Sequence, residues 1–333
     1  MQYTQLGRTG LKVSRLILGT MNFGQHTLEP EAHAILDRAL EHGINVVDTA
    51  NMYGASAGPG ITEEILGRWF AQGGERRERT VLATKLSNSM KGFGVTDNWP
   101  NTTRLSALNI RQSCDASLKR LQTDHIDLYQ MHHIDRATPF DEIWEAFSVL
   151  RQQGKVTYFG SSNFAGWHLV QAQEAARRHG ILGLASEQSY YNLMQRTVEL
   201  EVLPAARAYG IGLVPWSPLN GGLLGGVLRN AREGTSTGRG AGPMTARGIA
   251  LHAATLQLWE DLCDSLDERP ADVALAWLLA QPGVAAPIIG PRTVEQLDAS
   301  LRALELTLDV DALARLDEIF PGPGGPAPEA YAW

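Results

Sequence analysis

Four side chains in this sequence are of the right types to move a proton onto a carbonyl. The stretch "VVDTANMYG" runs two branched apolar residues into Asp48 and places Tyr53 five residues later. Lys85 ends the run "VLATK" and His132 ends "IDLYQMH". Side chains alternate along a strand, so Val46 and Asp48 share a face, as do Val81, Ala83 and Lys85. Ile126, Leu128, Gln130 and His132 share another. If these faces turn inward together, an acid, an ammonium, an imidazole and a phenol meet. A carbonyl that receives a hydride becomes an alkoxide and needs a proton. A phenol can supply it, although its unperturbed pKa is about 10. A nearby ammonium stabilises the phenolate and brings that pKa closer to the working pH. Lys85 fills that role, Asp48 is its counter-charge, and His132 donates to the carbonyl oxygen and orients it. Each residue alone has a plainer reading: a strand-end cap, a solvated lysine, a core histidine, a loop aromatic. Their combination at strand ends is what favours catalysis.

The elements that must carry these residues read as alternating strands and helices. A hairpin comes first, with strands at 3–6 and 11–14 around Gly7-Arg8-Thr9-Gly10. Short apolar strands follow at 15–18, 45–48, 80–85, 126–131, 156–160, 184–188, 211–215 and 286–289. Amphipathic stretches lie between them, at 30–41, 62–70, 105–120, 140–153, 168–178, 202–208, 271–279 and 293–301. Eight of each is the tally of an α/β fold of the (β/α)8 TIM-barrel kind. A doubly wound sheet competes, but it calls for G-x-G-x-x-G after a strand, and "GTMNFG" has the wrong spacing. "GGLLGG" (221–226) lacks the lysine and hydroxyl of a P-loop. Polar residues also gather at strand C-termini (Asp48, Lys85, His132, Ser162, Asn163, Gln188, Trp216), where a barrel builds its site.

Two further helices are expected outside the repeat, at 250–265 and at 309–319 with Asp309 as cap. Residues 217–247 form a long Gly-rich insertion. The division expected is one barrel domain over 1–320 and a poorly ordered Pro/Gly-rich tail over 321–333.

The 333 residues are 44% apolar and 20% charged, enough for a large core. A net charge of −7 argues against a nucleic-acid or anionic-membrane partner. No run of about 18 apolar residues occurs, and "MQYTQLGRTG" has no signal-peptide core, so a cytoplasmic protein is expected. Cys114 and Cys263 read as buried hydrophobes. His132-His133 has no acid or cysteine at metal spacing, so no metal is expected. A homo-oligomer is compatible with the sequence, which does not decide it.

Seven fragments in order, "VVDTANMYG", "VLATK", "IDLYQMHH", "YFGSSNF", "EQSYYNLM", "VPWSPLNGGLL" and "PIIGPRTVEQL", resemble the aldo-keto reductase superfamily across nearly the whole chain. The resemblance implies a TIM barrel, NADPH/NADP+ as cofactor and a small-molecule aldehyde or ketone as substrate. Its catalytic tetrad falls on Asp48, Tyr53, Lys85 and His132. It further implies that Ser162, Asn163 and Gln188 hold the nicotinamide carboxamide and Trp216 stacks on the ring. Gly19, Thr20, Met21 and Asp48 lie near the cofactor. Ser217, Leu219, Gly221 and Gly222 wrap the pyrophosphate with backbone N–H groups. Gly290, Arg292, Gln296 and Ser300 reach the adenine end, where Arg292 tilts the choice towards NADPH.

There are departures. The loop after Gly54 is longer than usual, Gly226 stands where a cation is common, and Ser300 replaces an asparagine. Pyrophosphate affinity then rests on Arg229 or Arg232 as the substitute cation, or is weaker. Two rivals remain: a cofactor-sensing regulatory subunit resembling the potassium-channel β subunits, and a two-carboxylate barrel hydrolase. The hydrolase needs a second acid at a strand end, and only Asp48 is there.

Overall fold

The structure, a computed structural model, describes residues 1–54, 57–91, 95–234 and 242–332. Strands form where β-branched and aliphatic residues run together, and the amphipathic stretches between them form helices. The chain begins with the hairpin β1 (Tyr3–Gln5) and β2 (Lys12–Ser14). Then come β3 (Ile17–Gly19), α1 (Glu29–Glu41), β4 (Val46–Asp48), α2 (Ile61–Phe70), β5 (Val81–Leu86) and α3 (Ala107–Leu121). They are followed by β6 (Ile126–Met131), α4 (Phe140–Gln152), β7 (Val156–Ser162), α5 (Gly166–Arg178), β8 (Leu184–Tyr190), α6 (Val202–Tyr209) and β9 (Gly212–Trp216). The last part holds α7 (Val227–Glu233), α8 (Pro243–Ser265), α9 (Pro270–Ala280), β10 (Ile288–Ile289), α10 (Val294–Ser300), α11 (Val310–Ile319) and α12 (Glu329–Ala332).

Eight parallel strands pair in the order β10-β3-β4-β5-β6-β7-β8-β9. The seam between β9 and β10 is closed by Leu213, whose N–H donates to Gly283 O at 3.0 Å and whose O accepts from Ala285 N at 2.8 Å. The result is the expected (β/α)8 TIM barrel.

Its interior is small and apolar: Ile17, Val46, Ala83, Leu128, Ala185, Val214 and Ala286 pack together there. Leu6 and Val13 of the hairpin join that cluster, so the hairpin stoppers one end of the barrel. The seal is tight at Gly7, whose φ is +57°. A Cβ there would lie 2.4 Å from Gly210 O, so only glycine fits.

Two expectations change. Two extra helices were expected, and among the described residues four lie outside the eightfold repeat: α7, α8, α11 and α12. The helix expected at 250–265 starts at Pro243, before a kink at His252, because proline supplies a helix-ready first turn. The insertion thus carries α7 and the start of α8, while 235–241 lie outside the described residues. In the Pro/Gly-rich tail, Ala327 N–H donates to Leu200 O at 2.9 Å and Glu329–Ala332 form α12. Asp309 does cap α11, accepting from Ala312 N at 2.8 Å.

Candidate active site

The barrel brings Asp48, Lys85 and His132 to one end, and the loop after β4 lays Tyr53 beside them. Asp48 ends β4 and Lys85 sits one residue before the end of β5. Both are buried, Lys85 completely. The Lys85 ammonium donates to Asp48 Oδ1 at 2.5 Å, to Thr49 O at 2.8 Å and to Tyr53 Oη at 3.4 Å. It also lies 5.0 Å from the centre of the Tyr53 ring. Burial by itself would lower the Lys85 pKa, but Asp48 and then Tyr53 outweigh it, and the net shift is upward. Lys85 is therefore held as a cation against the phenol oxygen.

The other Asp48 oxygen is held from the opposite side. Gln130 Nε2 donates to Oδ2 at 3.0 Å and Gln188 Nε2 at 2.9 Å. Two neutral donors and one cation thus surround one carboxylate, which is how a buried charge avoids a large desolvation cost. Gln130 had been read only as a member of the inward face; its role as an Asp48 clamp emerges from the fold. Gln188, assigned to the carboxamide by resemblance, spends its amide N–H on Asp48.

His132 follows β6 and is buried edge-on to Tyr53, with ring centres 5.9 Å apart and planes at 78°. Burial first, and then the charges of Lys85 and His133, hold its pKa well below the ordinary imidazole value. The ring is neutral and can donate one N–H without carrying charge into the site. Among the described residues its Nδ1 is buried without a partner. His133 stacks on it at 5.4 Å.

Beside the four lies a polar shelf. Asn163, in a left-handed conformation at φ 59°, donates to His132 O and Ser162 Oγ and accepts from Trp216 Nε1 at 3.1 Å. The Trp216 indole stacks on Tyr190 at 4.4 Å.

Among the described residues no group of three His, Cys, Asp or Glu is placed to hold a metal. Among the same residues no helix is long and apolar enough to cross a membrane. Glu63, an acid in the first turn of α2, is buried and accepts from Thr84 Oγ1 at 2.6 Å and Arg120 Nε at 2.7 Å.

A barrel with this acid, lysine, tyrosine and histidine at one end matches the model of the Aldo/keto reductase family over residues 15–320. The chain belongs to the aldo/keto reductase family. It is 56% identical over 334 residues to an uncharacterized oxidoreductase, YrpG, of Bacillus subtilis, with all of both chains covered. It is 33% identical to the versiconal hemiacetal acetate reductase of Aspergillus parasiticus, over 96% of each chain. A putative voltage-gated potassium channel subunit beta of Schizosaccharomyces pombe is 31% identical, over 94% of this chain and 92% of the relative.

Gly19 ends β3 with no room for a Cβ, which would lie 2.4 Å from Ile288 Cγ2. Thr20 N and Oγ1 both donate to Asp48 O at 3.0 Å, and Met21 is exposed. Gly290 O accepts from Asn22 Nδ2 at 2.9 Å. Arg292 N donates to Gln296 Oε1 at 2.8 Å, and Ser300 Oγ to Gln296 O at 2.8 Å.

The Gly221-Gly222 run forms a turn. The N–H of Gly221 goes to Ser217 Oγ and that of Gly222 to Leu219 O, so both are spent inside the turn. A phosphate on these two groups requires the turn to open. The substitute cations are engaged as well: Arg229 pairs with Asp264, and Arg232 lies 3.8 Å from Glu260. Glu260 itself accepts Leu228 N and Arg229 N at 2.7 and 2.8 Å, taking the start of α7.

Proposed function

We propose that this chain reduces an aldehyde or ketone to the alcohol, with NADPH as hydride donor and Tyr53 as proton donor. The observation that carries the reading is Lys85, fully buried, bridging Asp48 and the Tyr53 hydroxyl while a neutral His132 stands edge-on to the same phenol. The nicotinamide, when bound, supplies the hydride. The residues fit its carboxamide: Ser162 and Gln188 are in register on neighbouring strands. Ser162 Oγ accepts from Asn163, which leaves its proton to donate, and the Gln188 side-chain oxygen accepts no bond among the described residues. A donor beside an acceptor is the complement of a primary amide. Asn163 fixes the Trp216 indole, whose flat face suits a planar ring.

The substrate carbonyl oxygen then sits between Tyr53 Oη and the His132 ring. His132 orients it by hydrogen bonding, and Tyr53 gives up its proton as negative charge develops there. Lys85 stabilises the resulting phenolate, and Asp48, clamped by Gln130 and Gln188, keeps the ammonium in place.

Tyr53→Phe tests the proposal. It removes the proton donor and leaves the cofactor shelf intact. Turnover of simple aldehydes is expected to fall about 10²–10⁴-fold while NADPH still quenches or enhances fluorescence on titration. Retained turnover defeats the mechanism. The similarity to a channel β subunit supports a second reading: an NADPH-binding sensor, marked by tight cofactor binding and negligible turnover in the unmutated chain.

A further inference from the structure

Glu187 is a carboxylate with no place in the chemistry above, buried completely in the layer behind the barrel wall. Among the described residues no lysine, arginine or histidine stands within ion-pair distance of it. An acid in that position is costly unless hydrogen bonds satisfy it, and a leucine or methionine would fill the same space at no such cost. Its partners explain why it is there. Oε1 accepts the Phe164 N–H at 3.0 Å and the Ser189 hydroxyl at 2.8 Å, and Oε2 accepts the Ser161 hydroxyl.

These donors bracket the segment Ser161-Ser162-Asn163-Phe164. The next residue on β8 completes the grip, since Gln188 O accepts the Asn163 N–H at 3.0 Å. Two consecutive residues of one strand, facing opposite sides of the sheet, thus pin two consecutive N–H groups of the loop after β7. Asn163 is caught between them with φ at 59°, a region that costs a non-glycine residue free energy and persists only where its surroundings enforce it. From that conformation Asn163 reaches Ser162, His132 O and Trp216 together.

We infer that Glu187 is a positioning residue for the nicotinamide end of the cofactor site, holding the Ser162–Asn163 turn from behind in the shape that reads a carboxamide. The inference rests on the NADPH reading above. It extends that reading from the residues facing the cofactor to one that never touches it. Glu187 titrates unusually high, pushed up to about 7 by burial and restrained by the Ser161, Phe164 and Ser189 donors.

The test compares dissociation constants for NADPH and for reduced 3-acetylpyridine adenine dinucleotide phosphate, which has a methyl ketone in place of the amide. The unmutated chain should prefer NADPH. Glu187→Leu keeps the volume and removes every acceptor. It is expected to weaken NADPH roughly ten-fold or more, the usual worth of hydrogen bonds to a charged group, and to weaken the analogue far less. Glu187→Gln keeps an acceptor for Phe164 N–H and should restore much of the preference. Ser161→Ala, a one-atom deletion, should move the same ratio several-fold in the same direction and serves if the leucine variant does not fold. Equal weakening of both cofactors, or an unchanged preference, overturns the inference while leaving the reductase reading intact. Failure of the unmutated chain to bind NADPH overturns both.

Discussion

At the scale of single residues, the site is a charge problem solved by neighbours. Asp48 and Lys85 are each viable in the barrel because the other is present, and Gln130 and Gln188 satisfy the carboxylate oxygen that Lys85 does not reach. Lys85→Met should therefore destabilise the chain by about 3–5 kcal/mol, because it leaves a buried carboxylate with only neutral donors. Adding Asp48→Asn to it should recover much of that loss in denaturant titrations without restoring turnover. No recovery would mean that the two charges are not coupled. If Arg292 holds the 2′-phosphate, as the resemblance implies, Arg292→Ala is expected to raise the KM for NADPH about ten-fold or more and that for NADH at most about two-fold. Equal effects would remove the phosphate role. The four proposed catalytic residues were legible in the sequence because strand parity aligns Asp48, Lys85 and His132 without any knowledge of packing. Glu187 was not. It sits on the outward face of β8, where helix packing normally calls for an apolar side chain. The available signal was polarity on that wrong face, at Ser161, Glu187 and Ser189, which only the β7–β8 register brings together.

At the scale of elements, the alternation of strands and helices was readable because period-2 and period-3.6 patterns differ over a few residues. What escaped was whatever depends on partners from elsewhere. The helix expected from 62 begins at Ile61 behind left-handed Gly60, and the Thr62 hydroxyl donates to Phe23 O at 3.0 Å. Of the loop after Gly54, residues 55–56 lie outside the described residues; beyond them, Gly60 N–H donates to Tyr53 O at 3.0 Å and anchors the Tyr53 backbone. The junction between β7 and β8 carries its own pH dependence. Glu187 has an ordinary pKa of 4.5 when unfolded and about 7 when folded. Between those values the folded chain keeps a proton that the unfolded chain has released, so this group's contribution to stability falls as pH rises through the window. It is complete below 4.5 and lost above 7. Glu187→Gln abolishes the titration. Its stability relative to the unmutated chain should therefore rise from pH 4.5 to pH 7, by up to about 3 kcal/mol at 1.36 kcal/mol per pKa unit. Denaturant midpoints at pH 5 and pH 8 measure it; a pH-independent difference would place the folded pKa of Glu187 near its ordinary value.

At the scale of the whole molecule, the two ends of the barrel have separate duties. The strand C-termini hold polar and charged groups around Asp48 and Lys85, and the opposite end is closed by the hairpin. A narrow interior makes that closure matter, since Leu6 and Val13 belong to the same buried cluster as Ile17, Val46 and Ala285. The hairpin is also hydrogen-bonded to the wall, through Arg8 N to Gly210 O at 2.7 Å and Ser14 N to Asn45 Oδ1 at 2.8 Å. Leu6→Ala should leave a cavity that such a fixed frame cannot collapse to fill, at a cost of about 2–5 kcal/mol. A chain of this size need not unfold in one step, so the quantity to follow is the first denaturant transition together with hydrogen exchange at β1 and β2. Because the strand rims are a full barrel length apart, NADPH affinity in the folded variant should stay within about two-fold of the parent, the scatter expected for uncoupled sites. A stability loss confined to the hairpin would make it a separable stopper. A loss that also loosens the cofactor would show that strain at the closed end reaches Asp48 through β4, and the division of labour between the two ends would then fail.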